Sequence, residues 1–137
     1  MEEKELAELR EKTAEDLLLI GEELLEQGKF EDAIQVYKEI VKKEPRKPTM
    51  AKACNDCGVA YASLKMPEMA IGFFNAALNL KEFLMDEGIS TYYNLGLVYR
   101  TAGDEEKAEF CFKQADQLKK EHKRNEEELK RAFETMM

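Results

Sequence analysis

The chain has 137 residues, 44% of them hydrophobic and 36% charged, with three Pro, no Trp and a formal net charge of −8. That length holds about one domain, and the scarcity of Pro and of β-branched runs favours helices over sheet. The acidic balance argues against nucleic acid as a principal partner, because phosphates need a basic face to neutralise them.

In chain order, the first segment, residues 1–13, is acidic and amphipathic (MEEKELAELREK), the opposite of a secretory or mitochondrial leader. Thr13-x-x-Asp16 is a capping signal for a helix over 15–27. Gly28 marks its end, since a residue tolerant of left-handed φ is favoured after a helix C-terminus. Phe30, Ile34, Tyr37 and Val41 then recur at helical spacing, predicting a helix over 30–43. The basic turn Lys42 to Lys47 (KKEPRK) reads as a solvated loop rather than a phosphate site. Helices over 49–64 and 67–83 follow, separated by LKMP with Pro67 at a first helical position. One of the two longest uncharged runs, Met69 to Leu80, lies in the second of these. It falls well short of the roughly 20 residues that span a bilayer. Helices over 89–102 and 104–120 flank Gly103. In the last stretch Asn125 and Glu128 suggest another cap, while Leu118, His122, Asn125, Leu129, Ala132 and Met136 share one stripe. That stripe predicts a helix over about 121–136, either separate or continuous with the sixth.

A register runs through these elements. Leu17-x-x-Ile20-Gly21-x-x-Leu24, Cys54-x-x-Cys57-Gly58-x-x-Tyr61 and Tyr92-x-x-Leu95-Gly96-x-x-Tyr99 align on their glycines. Twelve residues after each glycine stands Ala33, Ala70 or Ala108, and four further on Tyr37, Phe74 or Phe112. A small residue at each Gly and Ala lets paired helices approach, with the aromatic filling space beside the next repeat. This pattern resembles the tetratricopeptide repeat, W-x-x-L-G-x-x-Y then A-x-x-x-F then Pro over roughly 34 residues. The resemblance covers residues 14–122, as repeats at 14–47, 51–84 and 89–122. It departs at the leading position (Leu17, Cys54, Tyr92), at the terminal Pro (only Pro45; Glu82 and Lys120 stand elsewhere), and in its glycine spacings of 37 and 38 residues. It implies an all-α solenoid of about seven helices in antiparallel hairpins, wound as a right-handed superhelix. Residues 123–137 would then serve as the terminal helix that covers the last hydrophobic face.

Cys54 and Cys57 invite a redox or metal reading. Both fall on core-facing positions of the repeat, where free Cys packs as a small hydrophobe. A redox Cys-x-x-Cys belongs at a helix start after a strand, and a structural zinc needs four ligands. The chain adds only Cys111 and His122, about 16 Å apart if one helix carries both, at ~1.5 Å per residue. No phosphate loop or serine elbow is present, so the sequence points to a protein that is not an enzyme and needs no cofactor or metal. The odd cysteine count suits a reducing, cytoplasmic setting.

The row next to the core face of each leading helix is Leu18, Glu22, Leu25; Asn55, Val59, Ala62; and Tyr93, Leu97, Arg100. It predicts a concave groove for a partner peptide with a few apolar anchors. The alternative is that Leu6 and Leu9 of the N-terminal segment pack over Leu18 and Leu25. Some family members hold acidic chaperone tails in a carboxylate clamp. The matching positions here are Leu18, Glu22, Asp56, Ser90 and Asn94, none of the required type, so this chain is not expected to use that clamp. The resulting expectation is a non-catalytic protein-interaction module. Its alternatives are a chaperone similar to small three-repeat secretion chaperones, and a scaffold that self-associates through the Met136–Met137 end and the acidic N-terminus.

Overall fold

The computed structural model describes all residues, Met1–Met137. Seven α-helices form and no strand does: α1 (Glu3–Arg10), α2 (Ala14–Glu26), α3 (Phe30–Lys42), α4 (Lys47–Ser63), α5 (Pro67–Leu78), α6 (Ile89–Thr101) and α7 (Glu105–Met136). A single 3₁₀ turn, Lys81–Phe83, follows α5. Helices α2/α3, α4/α5 and α6/α7 pair as hairpins, and α4 then packs on α2 and α3 just as α6 packs on α4 and α5.

Local chemistry accounts for most of the boundaries. The Thr13 hydroxyl accepts the Asp16 N–H at 3.1 Å, the expected cap of α2. Gly28 and Gly103 close α2 and α6 with positive φ, and Pro67 opens α5. Two expectations change. The helix expected over 67–83 stops at Leu78 and gives way to the 3₁₀ turn. Asp86 then builds the start of α6, accepting the Gly88 N–H at 3.0 Å and the Ser90 N–H at 2.8 Å while Gly88 takes φ +96°. The second change is that no cap forms at Asn125: of the two arrangements expected for the last segment, α7 takes the continuous one. Every residue from Lys123 to Met137 is exposed, so within one chain this segment covers no hydrophobic face.

One contact organises all three hairpins. A Cβ added to Gly21 would sit 2.7 Å from the Tyr37 ring, at Gly58 2.7 Å from Phe74, and at Gly96 2.6 Å from Phe112. Each aromatic therefore packs directly against the glycine of its own hairpin, a closer role than filling space beside the next repeat. Ala33, Ala70 and Ala108 are fully buried beside these pairs. The ends of the stack differ. Helix α1 runs alongside α3 in the same direction, with the N-terminal ammonium 3.4 Å from Asp32 and Arg10 Nε 3.4 Å from the buried Glu39. Leu9 joins the core there, with Met1 and Leu6 packed against it.

Candidate functional site

The leading helices α2, α4 and α6 line a run of three adjoining depressions. The first, between α2, α4 and residues 83–86, takes in Leu18, Lys52, Asn55 and Ser90. The second lies between α4 and α6, about 570 Å³ in volume, with Val59, Ala62, Leu97 and Val98 as apolar walls and Asn94 and Thr101 as polar ones. The third sits on α6 and α7 and includes Ser90, Tyr93, Asn94, Leu97 and Arg100. Shared walls at Ser90, Asn94 and Leu97 join the three.

Each residue of the expected row can now be placed. Leu18 lines the first depression, whose other walls come from α4, residues 83–86 and α6, so α1 does not fill it. Leu25 is half-buried against the core. Glu22 is taken up by Lys52, 3.7 Å away. Asn55, Val59 and Ala62 line the first two depressions. Tyr93, Leu97 and Arg100 belong to the third, where no further helix packs against α6. The row is thus the edge along which one leading helix meets the next, and it becomes open surface only on α6.

A polar seam crosses these three helices. The Thr91 hydroxyl donates to Asn55 Oδ1 at 2.6 Å, and the Asn55 amide donates to Asp56 Oδ1 at 3.4 Å. Lys52 Nζ lies 3.2 Å from Asp56 Oδ1 and links it to Glu22. Thr91 and Asp56 are almost fully buried. Burial raises the Asp56 pKa, and the Lys52 ammonium opposes that rise without cancelling it. Burial likewise raises the Tyr37 phenol, helped by the negative charge of Asp56. The phenol oxygen and Asp56 Oδ2 are both buried without a hydrogen bond of good geometry. Sequence reasoning missed this seam, although Lys52 and Asp56, four apart, were a readable helical ion pair. It also missed Leu19, an apolar side chain 66% exposed at the helical position that Asp56 and Asn94 occupy in the other hairpins.

The clamp positions are occupied in incompatible ways. Asp56 is buried and paired, and Ser90 is bonded to Asp86 at 2.6 Å. All three cysteines are buried and unbridged, with Cys57 pushed up to about 12 by burial. No three His, Cys, Asp or Glu side chains gather as metal ligands.

Two tetratricopeptide repeat family models match the chain, one over residues 17–46 and the other over residues 89–122. These are the first and third hairpins, and the middle one repeats their glycine–aromatic contact. The chain belongs to the tetratricopeptide repeat family. Tetratricopeptide repeats mediate protein–protein interaction and are typically non-catalytic. No curated protein matches this tetratricopeptide repeat chain at a significant level. None of its helices is long and apolar enough to cross a membrane.

Proposed function

We propose that this protein is a non-catalytic adaptor that holds a peptide segment of a partner protein along the face formed by α2, α4 and α6. The observation that carries this reading is the α4/α6 depression, an apolar trough with Asn94 and Thr101 at its rim, continuous with the polar seam toward α2. Apolar walls supply affinity, while a few fixed polar groups set register. At the α2 end Asp86 lines the first depression, and the Lys52 ammonium there is already engaged by Glu22 and Asp56. A ligand with apolar anchors flanked by a basic or neutral residue suits this surface. An acidic C-terminal tail does not.

The test is selection of a displayed peptide library on the wild-type protein, followed by titration against Val59→Glu/Thr101→Glu, two residues that line the trough and not the α6/α7 depression. Selected peptides should share apolar anchors, avoid acidic tails, and lose at least tenfold in affinity for the variant. Peptides that bind the variant equally well would place the binding surface elsewhere.

A further inference from the structure

Hairpin stacking in this molecule uses one repeated seat: α4 lies across α2 and α3, and α6 lies across α4 and α5. The α6/α7 pair presents the same face at the end of the stack, as a depression of about 590 Å³ that includes Ile89, Tyr93, Phe112 and Ala115. Tyr37 and Phe74, the counterparts of Phe112, are fully buried by the hairpin that follows them. Phe112 is only half-buried, beneath the Tyr93 ring at 5.5 Å and the Arg100 guanidinium at 4.7 Å.

A second uncovered apolar feature lies on the same chain. Ala108, Cys111 and Ala115 are the buried residues of α7, which packs on α6. Their alternating three–four spacing continues without a slip through Leu118, His122, Asn125, Leu129, Ala132 and Met136. That spacing is the signature of a helix-pairing seam. Its distal part has no partner within the chain: Leu129 is 60% exposed, Phe133 beside it 58%, and Met136 81%.

We propose that the α7 extension of one copy docks in the α6/α7 depression of a second copy, reciprocally about a two-fold axis near residue 123. With the two α7 helices antiparallel, the extension turns toward the second copy's α6 the face that α7 already turns toward its own. The charges agree: Lys130 of one copy comes opposite Asp116 of the other, and Glu127 opposite Lys119. Pairing the two extensions with each other instead would centre the contact near residue 127. Glu127 would then meet its own symmetry mate, Glu126 would face Glu128, and Lys123 and Arg124 would face Arg131 and Lys130. Like charges facing across a helix pair repel, and about residue 123 only Lys123 meets its own mate. Area also favours the reciprocal arrangement. One extension is only about 20 Å long, and using two seats moves the buried surface toward the roughly 1,200 Å² where stable association begins. This inference deepens the self-association alternative and does not rest on the peptide reading, because it uses the end face of the stack.

Sedimentation velocity of the full chain, from low micromolar to several hundred micromolar, is the test, with circular dichroism verifying each fold. The wild type should pass from monomer to dimer. Leu129→Glu/Phe133→Glu, which alters side chains that pack on nothing in the monomer, should weaken dimerisation at least tenfold. So should Tyr93→Glu on the seat and Asp116→Lys, and Asp116→Lys/Lys130→Asp should recover most of the loss. A monomer at every concentration overturns the proposal, as does growth beyond the dimer. A dimer sensitive to the extension variants but indifferent to Tyr93→Glu and Asp116→Lys would mean extension-to-extension pairing, and overturns it too. Since the peptide titration uses α4 and α6 residues facing the trough, either idea can fail alone.

Discussion

At Gly58 an added Cβ would meet Phe74 Cδ1 at 2.7 Å, and Phe74 is fully buried. At Gly96 the same atom would meet Phe112 at 2.6 Å, but that ring is half-exposed beneath two movable side chains. Overpacking costs about 1–3 kcal/mol where neighbours cannot shift. Gly58→Ala should fall at the upper end and Gly96→Ala near the lower, as read from urea unfolding midpoints at unchanged slope. Equal losses would mean that Phe112 is held as rigidly as Phe74. The sequence showed that a small residue was needed at these positions, because three glycines share a register with three aromatics. It did not show which ring presses on which glycine, since i+16 spacing is equally compatible with a contact across hairpins. The cysteines obey the same burial logic. Cys57 is raised to about 12 from an ordinary 9.0, chiefly by desolvation. The folded state therefore keeps its proton where the unfolded chain has released one, so this contribution is intact below the unfolded pKa and fades as pH climbs toward 12. Stability should decline between about pH 9 and about pH 11, and Cys57→Ala should flatten that decline. A wild-type curve already flat across this range would contradict the burial of the thiol.

Two helix boundaries need more than apolar periodicity to place. The end of α5 was hidden because Leu78, Leu80, Phe83 and Leu84 continue an apolar periodicity that no Gly or Pro interrupts. The readable signal was Asp86-x-Gly88-x-Ser90, a side-chain acceptor before a left-handed glycine, which builds the entry to α6. For the last segment the sequence leaves two arrangements open, a start at Asn125 with Glu128 or a continuation of the preceding helix. Helix α7 is continuous because no breaker follows Gly103, and nothing stops a helix once it propagates through good formers. The row expected to line a groove lies on the three leading helices, α2, α4 and α6. Its burial against the next leading helix depends on how hairpins stack, which no single helix's pattern records. The α7 reading carries its own prediction. Residues from Lys123 onward bury nothing in the monomer, so truncation after His122 should leave the unfolding midpoint of dilute protein unchanged. Amides beyond residue 125 should exchange far faster than those of 108–120, as hydrogen exchange with mass spectrometry resolves. A truncation that lowers the midpoint would reveal a monomeric contact for the extension.

The molecule as a whole has one closed end and one open end. At the closed end α1 places Leu9 in the core and ties Arg10 to Glu39, with Lys43 donating to the Arg10 carbonyl at 2.6 Å. In a stack of this kind stability is approximately a sum of hairpin terms and nearest-neighbour interface terms. The middle hairpin has a hairpin on each side, the first has a hairpin and α1, and the third has a single neighbour. Native-state hydrogen exchange on dilute protein should therefore rank protection as α4 and α5 highest, α2 and α3 next, α6 and the proximal half of α7 lowest. Leu9→Ala removes a buried side chain at an end that can partly relax, so about 2 kcal/mol should be lost, at the lower edge of the usual range for such truncations. The loss should appear first in α2 and α3, bringing their opening free energy down toward that of the third hairpin while α6 and α7 change little. If all three hairpins instead opened at one common free energy, and fell together on Leu9→Ala, the interfaces would be strong enough to make the chain a single cooperative unit. The uncovered α6/α7 face would then weaken the stack no more than the closed end does.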